Sequence, residues 1–287
     1  MKEFDIPPLV SICCITYNHV KYIAEAIQSF LMQIADFEYE IIIGEDHSTD
    51  GTKEVIEQYI AEYPDRITLV SHNPNIGSIK NQTDTIGRAR GQYIALCDGD
   101  DFWTDPHKLQ KQVDFLEANP DYVMCCHHTR VIDEYGKTMY LKDTPQEMEF
   151  SYTDVLLGKR EETRNSSIMV RNQNYIHDIG KLDWYYRTFA TDMIFKLYVL
   201  AESQQKIFVL PDVMACYRNH QGGMWSMIND GVRRERVISD FNIMVNHFSY
   251  TPLAKRSLLK IYMNEHLLFD LRKLKIVNAF NTLTNLI

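Results

Sequence analysis

Five short apolar runs of β type, at residues 10–15, 39–44, 67–71, 93–97 and 122–128, leave this chain few choices of fold. Between them the apolar residues recur at helical spacing. Ile23, Ala26, Ile27, Phe30 and Leu31 mark a helix over 22–33, and Val55, Ile56, Tyr59 and Ile60 mark one ending near Tyr63. Residues 79–89 and 108–119 read the same way. The strand runs are apolar throughout rather than alternating, so they predict strands covered on both faces. Alternation with helices predicts an α/β fold with a mostly parallel sheet flanked by helices. Open sheets of this kind bind ligands beyond the carboxyl ends of their strands. Three polar clusters follow strands directly: Thr16-Tyr17-Asn18, Glu45-Asp46 and Asp98-Gly99-Asp100-Asp101. The pattern places them in one crevice.

After Asp133 the pattern loosens. Strands are predicted at 163–170 and 207–217, and helices at 185–201, 229–247 and 252–283. Residues 251–287 carry six Lys/Arg against two Asp/Glu, and Leu267, Leu271, Leu274, Val277 and Phe280 fall at helical spacing. That tail is expected to pack on the domain, to self-associate with a partner chain, or to rest on an anionic membrane surface.

Charge narrows the partners. Lys+Arg is 30 against Asp+Glu at 39, a net −9, which argues against a general nucleic-acid binder. No run approaches the roughly 20 apolar residues of a membrane span, and the first eight residues lack the apolar centre of a signal peptide. Five of the six cysteines lie in strand-like apolar runs, as expected of buried, reduced thiols in a cytoplasmic protein. Cys125-Cys126-His127-His128 suggests zinc, but four adjacent strand residues alternate faces and do not surround one ion.

Asp98, Asp100 and Asp101 repel each other in a dry crevice, and a divalent cation relieves that repulsion. Mn²⁺ and Mg²⁺ take oxygen ligands, often few of them from protein and the rest from phosphate. Along an extended chain Asp98 and Asp100 point one way and Asp101 the other; Gly99 lets a ligand approach the backbone. The alternative is a solvated acidic turn capping the next helix. Asp46 is placed to reach the crevice, where a carboxylate suits the N3–H of uracil, whereas Ser48 or Asp50 serves equally as the cap of the following helix.

Thr16-Tyr17-Asn18, Glu45-Asp46-x-Ser48-Thr49-Asp50-Gly51-Thr52, Asn75-x-Gly77 and Ala89-x-Gly91-x-Tyr93-Ile94-Ala95-x-x-Asp98-x-Asp100-Asp101 together resemble glycosyltransferase family 2 in order and spacing. The resemblance is close over the first 130 residues and thinner to about Ser226. Departures are Glu45 where Asp is more usual and His47 where Gly is common. The resemblance implies the GT-A fold, a Rossmann-like sheet, and transfer with inversion from a nucleotide-sugar donor, most simply a UDP-sugar, to a saccharide or lipid-linked hydroxyl acceptor. It implies that Thr16, Tyr17, Asn18 and Asp46 surround the nucleotide, that Asp98 touches ribose or metal, and that Asp100 holds Mn²⁺ or Mg²⁺. The general base is expected at Asp192, with Asp183 in reserve. Arg218-Asn219-His220-Gln221-Gly222-Gly223-Met224-Trp225-Ser226 resembles the family's Arg-x-His-x-Gly segment, so His220 is expected on the metal or phosphate, and Arg218 and Trp225 on the donor loop. Arg164-Asn165-Ser166-Ser167 is a further candidate lining of the sugar pocket, and Phe102-Trp103 and Tyr185-Tyr186 either stack on sugar or fill the core.

These expectations divide the chain into a glycosyltransferase domain over 1–228, with a nucleotide-binding half over 1–105 and an acceptor half over 106–228, and a helical extension over 229–287. They suggest a cytoplasmic role in cell-surface polysaccharide or glycolipid synthesis, with peripheral contact to the inner face of the membrane. A sugar-1-phosphate nucleotidyltransferase needs a Gly-rich basic loop after the first strand, where this chain has Thr16-Tyr17-Asn18-His19. An aspartate-nucleophile phosphatase needs partners other than Phe102-Trp103. A non-catalytic carbohydrate-binding module needs neither Asp100 nor Asp192.

Overall fold

The apolar runs assemble into one ten-stranded sheet. The structure, a computed structural model, describes residues 7–159, 161–223 and 230–262, together with 271, 276, 277 and 280. The first four strands are β1 (Val10–Thr16), β2 (Tyr39–Glu45), β3 (Ile67–Ser71) and β4 (Tyr93–Asp98). They lie in the order β3-β2-β1-β4 with every neighbouring pair parallel. Helices α1 (Ile23–Leu31), α2 (Thr52–Glu62) and α3 (Ser78–Ile86) connect them.

The strands are apolar throughout because both faces are covered. Ile12, Cys14, Ile41, Ile43, Ala95 and Cys97 share one core with Ile23, Ala26, Ile27 and Phe30 of α1 and Ile56 of α2. The intervening Cys13, Ile42, Ile94 and Leu96 belong to a second core with Ile86 of α3. Each Ile, Leu or Phe side chain so covered contributes about 1.5–3 kcal/mol relative to exposure. The approach of α3 to β2 depends on Gly44. A Cβ there would lie 2.1 Å from Thr85 Oγ1 and 2.2 Å from Asn81 Oδ1.

Beyond β4 the chain forms β5 (Phe102–Trp103), α4 (Lys108–Ala118), β6 (Tyr122–Asp133), β7 (Thr138–Tyr140), β8 (Met148–Phe150), α5 (Tyr152–Leu156), β9 (Met169–Arg171), α6 (Asn174–Asp178), α7 (Thr191–Ser203), β10 (Lys206–Asn219), α8 (Asp230–His247) and α9 (Pro252–Tyr262). The sheet continues β4-β9-β6-β10-β5. Three-residue β9 joins the halves, antiparallel to both β4 and β6, while β6 and β10 run parallel. The parallel reading thus holds for the first half, and the second half is mixed.

Several elements differ from their sequence expectations. The strand expected at 163–170 starts as a 3-10 turn, Asn165–Ser167. Ser167 Oγ donates to the Arg164 carbonyl at 2.7 Å, a local bond that competes with the ladder. The helix expected from residue 185 starts at Thr191, after a 3-10 turn at Tyr185–Arg187. Of the helix expected over 252–283, α9 covers the first part, and most of the remainder lies outside the described residues. β5, β7, β8, α5 and α6 are too short to carry a readable period. Phe241, Met244, Phe248, Ala254 and Leu258 of α8 and α9 enter the same core as Ile194, Leu197 and Leu200 of α7. All six cysteines are buried and free. His127 Nδ1 lies 2.8 Å from the His128 carbonyl.

Candidate active site

The carboxyl ends of β1, β2, β4 and β10 meet at one rim. The loops after β1 and β2 are stitched together there. The Asn18 amide donates to Ser48 Oγ at 2.9 Å, His19 N to Thr52 Oγ1 at 2.8 Å and Val20 N to Asp50 Oδ2 at 3.0 Å. In return Thr49 N donates to Asn18 Oδ1 at 2.9 Å. Gly51 is the N-cap residue of α2, so Ser48 acts across the loops, while Asp50 does both: its Oδ1 accepts Thr52 N at 3.0 Å and Thr52 Oγ1 at 2.6 Å at the start of α2. Glu45 accepts Ser48 N at 2.6 Å and braces the same turn. His47 has φ 62°, which explains why glycine suits that position.

Asp46 is buried, and its carboxylate accepts Ile76 N at 2.7 Å and Gly77 N at 2.9 Å. It thereby anchors the Asn75-x-Gly77 turn, a role with both oxygens engaged by backbone amides. Thr16 links the clusters: its carbonyl accepts Asp46 N at 3.1 Å, and its side chain lies on Gly99. A Cβ on Gly99 would stand 2.7 Å from Thr16 Oγ1 and 3.1 Å from Ile23 Cδ1. The bare backbone of Gly99 is therefore filled by Thr16 and Ile23, not left open to a ligand. Tyr17 stands exposed beside it.

The three aspartates have different environments. Asp98 accepts Asn165 Nδ2 at 2.8 Å. Burial, then the neighbouring charge of Asp100, pushes its pKa up to about 7, and Asp192 adds to the rise. Burial also opposes ionisation of Asp100, but the His220 hydrogen bond and the positive potential of His19 and His220 hold its pKa below the usual range. The strand ends at Asp98 and the chain turns, with Asp101 N donating to the Asp98 carbonyl at 3.1 Å, so Asp101 is oriented by that turn rather than by strand alternation; it accepts Arg218 N at 2.9 Å. Burial, with Asp100 and Asp98, raises its pKa well above the ordinary value.

Asp100 Oδ2 lies 2.9 Å from His220 Nε2 and 3.6 Å from His19 Nε2. Among the described residues, these three form the cluster able to hold a metal ion, with donor atoms within 4.8 Å of one another. The carboxylate and two imidazoles suit a divalent cation, and His19 Nδ1 is buried with no hydrogen-bond partner. Thr16 Oγ1 and Asn165 Oδ1 are likewise buried and unpartnered at this rim. Such orphaned groups are uncommon in a folded chain.

Asp192 sits in the first turn of α7, which has Ala190 as its N-cap residue. Its Oδ2 is 3.0 Å from the Lys196 ammonium, itself held by the Thr163 carbonyl at 2.7 Å. The effect of Asp192 on Asp98 places the two carboxylates in mutual electrostatic reach. Asp183 is exposed. Arg218, expected toward the donor, is instead buried under the aspartate turn. Its Nε donates to the Asp100 carbonyl at 3.1 Å and its guanidinium pairs with Glu25. Trp225 lies outside the described residues. Trp103 and Tyr185 are core residues.

Residues 11–180 match the family described as Glycosyl transferase family 2. The chain belongs to that family. An uncharacterized protein from Mycobacterium tuberculosis is 37% identical over 220 residues, 75% of this chain and 60% of that protein. This family 2 chain therefore spans less than two thirds of that protein. EpsE of Bacillus subtilis, which carries a glycosyltransferase name, is 39% identical over 129 residues, 45% of this chain and 46% of EpsE. In fold, the family 2 chain is similar to Staphylococcus aureus TarS in complex with UDP-GlcNAc, at TM-score 0.71 and 16% identity over 96% of this chain and 80% of that one. It is also similar to the Pyrobaculum calidifontis mannosyltransferase PcManGT in complex with GDP-Man and Mn²⁺, at TM-score 0.60 and 18% identity over 88% and 69%. The fold is accordingly GT-A.

Sequence reasoning passed over His19 as a donor, although it directly follows Thr16-Tyr17-Asn18. It had no means of finding Asp240, whose carboxylate accepts the amides of Phe189 and Ala190 from 50 residues away or more.

Proposed function

We propose that this chain is an inverting glycosyltransferase that moves a sugar from a UDP-sugar to a hydroxyl acceptor with help from Mn²⁺ or Mg²⁺. The observation that carries the reading is the meeting of Asp98, Asp100, His19 and His220 at one rim, within electrostatic reach of Asp192. Asp100 and His220 would hold the cation, whose chemistry there would be neutralisation of the charge on the departing diphosphate. The chain's residues do the rest. Thr16, Tyr17, Asn18 and Asp46 bind the base and ribose side of the donor, and Asp98 orients the ribose. Asp192 accepts the proton of the attacking hydroxyl, while Lys196 holds its carboxylate in place. Asn165 and Arg164 line the sugar side, Arg164 being tied to Thr129 Oγ1 at 2.6 Å.

The nucleotide complexes of TarS and PcManGT support a nucleotide-sugar donor. The domain division at residue 228, a saccharide or lipid-linked acceptor and a cytoplasmic, membrane-peripheral role belong to the same proposal. No helix among the described residues is long and apolar enough to cross a membrane. Leu271, Ile276, Val277 and Phe280 are exposed in the basic tail and support contact with a membrane or a second copy.

The test is a thermal-shift panel of nucleotide sugars with and without Mn²⁺, followed by UDP release in the presence of candidate acceptors. Stabilisation by one nucleotide sugar with metal is expected. No shift with any of them, and no donor turnover, would favour a non-catalytic module.

A further inference from the structure

We propose that His19 is a third protein ligand that lets this chain load a divalent transition cation before the nucleotide arrives. The inference rests on the reading of Asp100 and His220 as metal ligands. With one carboxylate and one imidazole, a site depends on the diphosphate for most of its coordination. A second imidazole changes that balance.

His19 is delivered by a rigid segment. Its own amide is held by Thr52 Oγ1, and the amides on either side are held by Ser48 and Asp50. Its Nε2 and that of His220 approach the same oxygen of Asp100, the two rings meeting edge to face at 6.0 Å. Tyr22 closes over His220 at 4.8 Å between ring centroids. The three donors lie close enough for small side-chain adjustments to bring each within about 2.0–2.2 Å of one ion.

Donor chemistry then sets the cation. Imidazole suits Zn²⁺ and other first-row transition ions, whereas Mg²⁺ takes oxygen ligands and keeps its waters. The nucleotide-free chain is therefore expected to bind Zn²⁺ or Mn²⁺ at least about tenfold more tightly than Mg²⁺. Loss of even an outer partner of a metal ligand costs about 10–100-fold in affinity, so losing His19 itself costs no less than about tenfold.

The experiment titrates the nucleotide-free chain with Zn²⁺, Mn²⁺ and Mg²⁺ by calorimetry, in the wild type, His19→Ala and Asp100→Asn. Zn²⁺ is also added to wild-type protein carrying ¹⁵N-labelled histidine. The expected result is tight Zn²⁺ binding that weakens at least about tenfold in His19→Ala, with the ring nitrogens of both His19 and His220 shifting. Unchanged binding in His19→Ala with loss in Asp100→Asn overturns the role of His19 and leaves the metal reading intact. Binding only after UDP is added overturns loading ahead of the nucleotide. Unchanged binding in both variants overturns the metal reading as well. If His19→Ala does not fold, the wild-type spectrum decides: unshifted His19 nitrogens at Zn²⁺ saturation reject the proposal.

Discussion

The carboxylate of Asp240, on α8, accepts the amide of Ala190 at 2.7 Å, one residue ahead of the helix that presents Asp192. Its other oxygen accepts Phe189 N at the same distance. α7 has no side-chain cap of its own, so a buried carboxylate from the C-terminal helices fixes how the helix begins. Trp184, just upstream, stacks on His247 of α8 at 5.0 Å. α8 thus holds the segment that leads into Asp192, the proposed general base.

Asp240→Ala is expected to lower stability by about 1–3 kcal/mol, because it leaves buried amides unpaired. It should also reduce kcat more than it changes KM for the donor. Asp240→Asn, which keeps one acceptor oxygen, should recover part of both. Urea midpoints and initial rates check this; a loss confined to donor KM would reject a link to Asp192.

Asp192→Asn removes the proposed base while keeping its size. Transfer should fall by about 10²–10⁴-fold with UDP affinity unchanged. Full activity in this variant would move the base to another residue.

Lys108 is fully buried, donating to Gln112 Oε1 at 2.7 Å and lying 4.0 Å from the centre of the Trp103 ring. Burial pushes its pKa down from 10.5 to about 7. The unfolded chain therefore binds the extra proton between about pH 7 and 10.5, and stability contributed by this group rises with pH across that window. Lys108→Met relieves the burial of the amine but leaves Gln112 Oε1 without its donor, a cost of about 1–3 kcal/mol, so the net gain at pH 7 is expected to be at most about 1 kcal/mol. The gain should shrink toward pH 10. Chemical denaturation at several pH values measures it, and a gain that grows with pH would contradict the account.

His47 holds a left-handed backbone conformation at φ 62° on an exposed turn. The strain of about 1–2 kcal/mol for a side chain there exceeds the entropic cost of glycine, about 0.5–1 kcal/mol. His47→Gly should raise stability by about 0.5–1 kcal/mol, read as a shift in denaturation midpoint. Destabilisation would mean that the imidazole itself holds the turn.

Much of the site was legible because its chemistry is local. Glu45-Asp46, Asp98 and Asp100 each follow a strand whose apolar run ends visibly, and parallel pairing carries those ends to one edge. Arg218 shows the limit of such reading. Its place after a strand suggested a donor contact, but Glu25 and the Asp100 carbonyl claim its guanidinium in the folded chain.

Hydrophobic period and strand–helix alternation by themselves determined the parallel first half and the crevice at its edge, because burial of a repeating face needs no knowledge of distant partners. Only the tertiary structure decided that His19 joins Asp100 and His220, that β9 turns antiparallel between the halves, and that Asp240 aims α7. Each of these depends on contacts between residues about 50 or more positions apart, where no local period carries a signal.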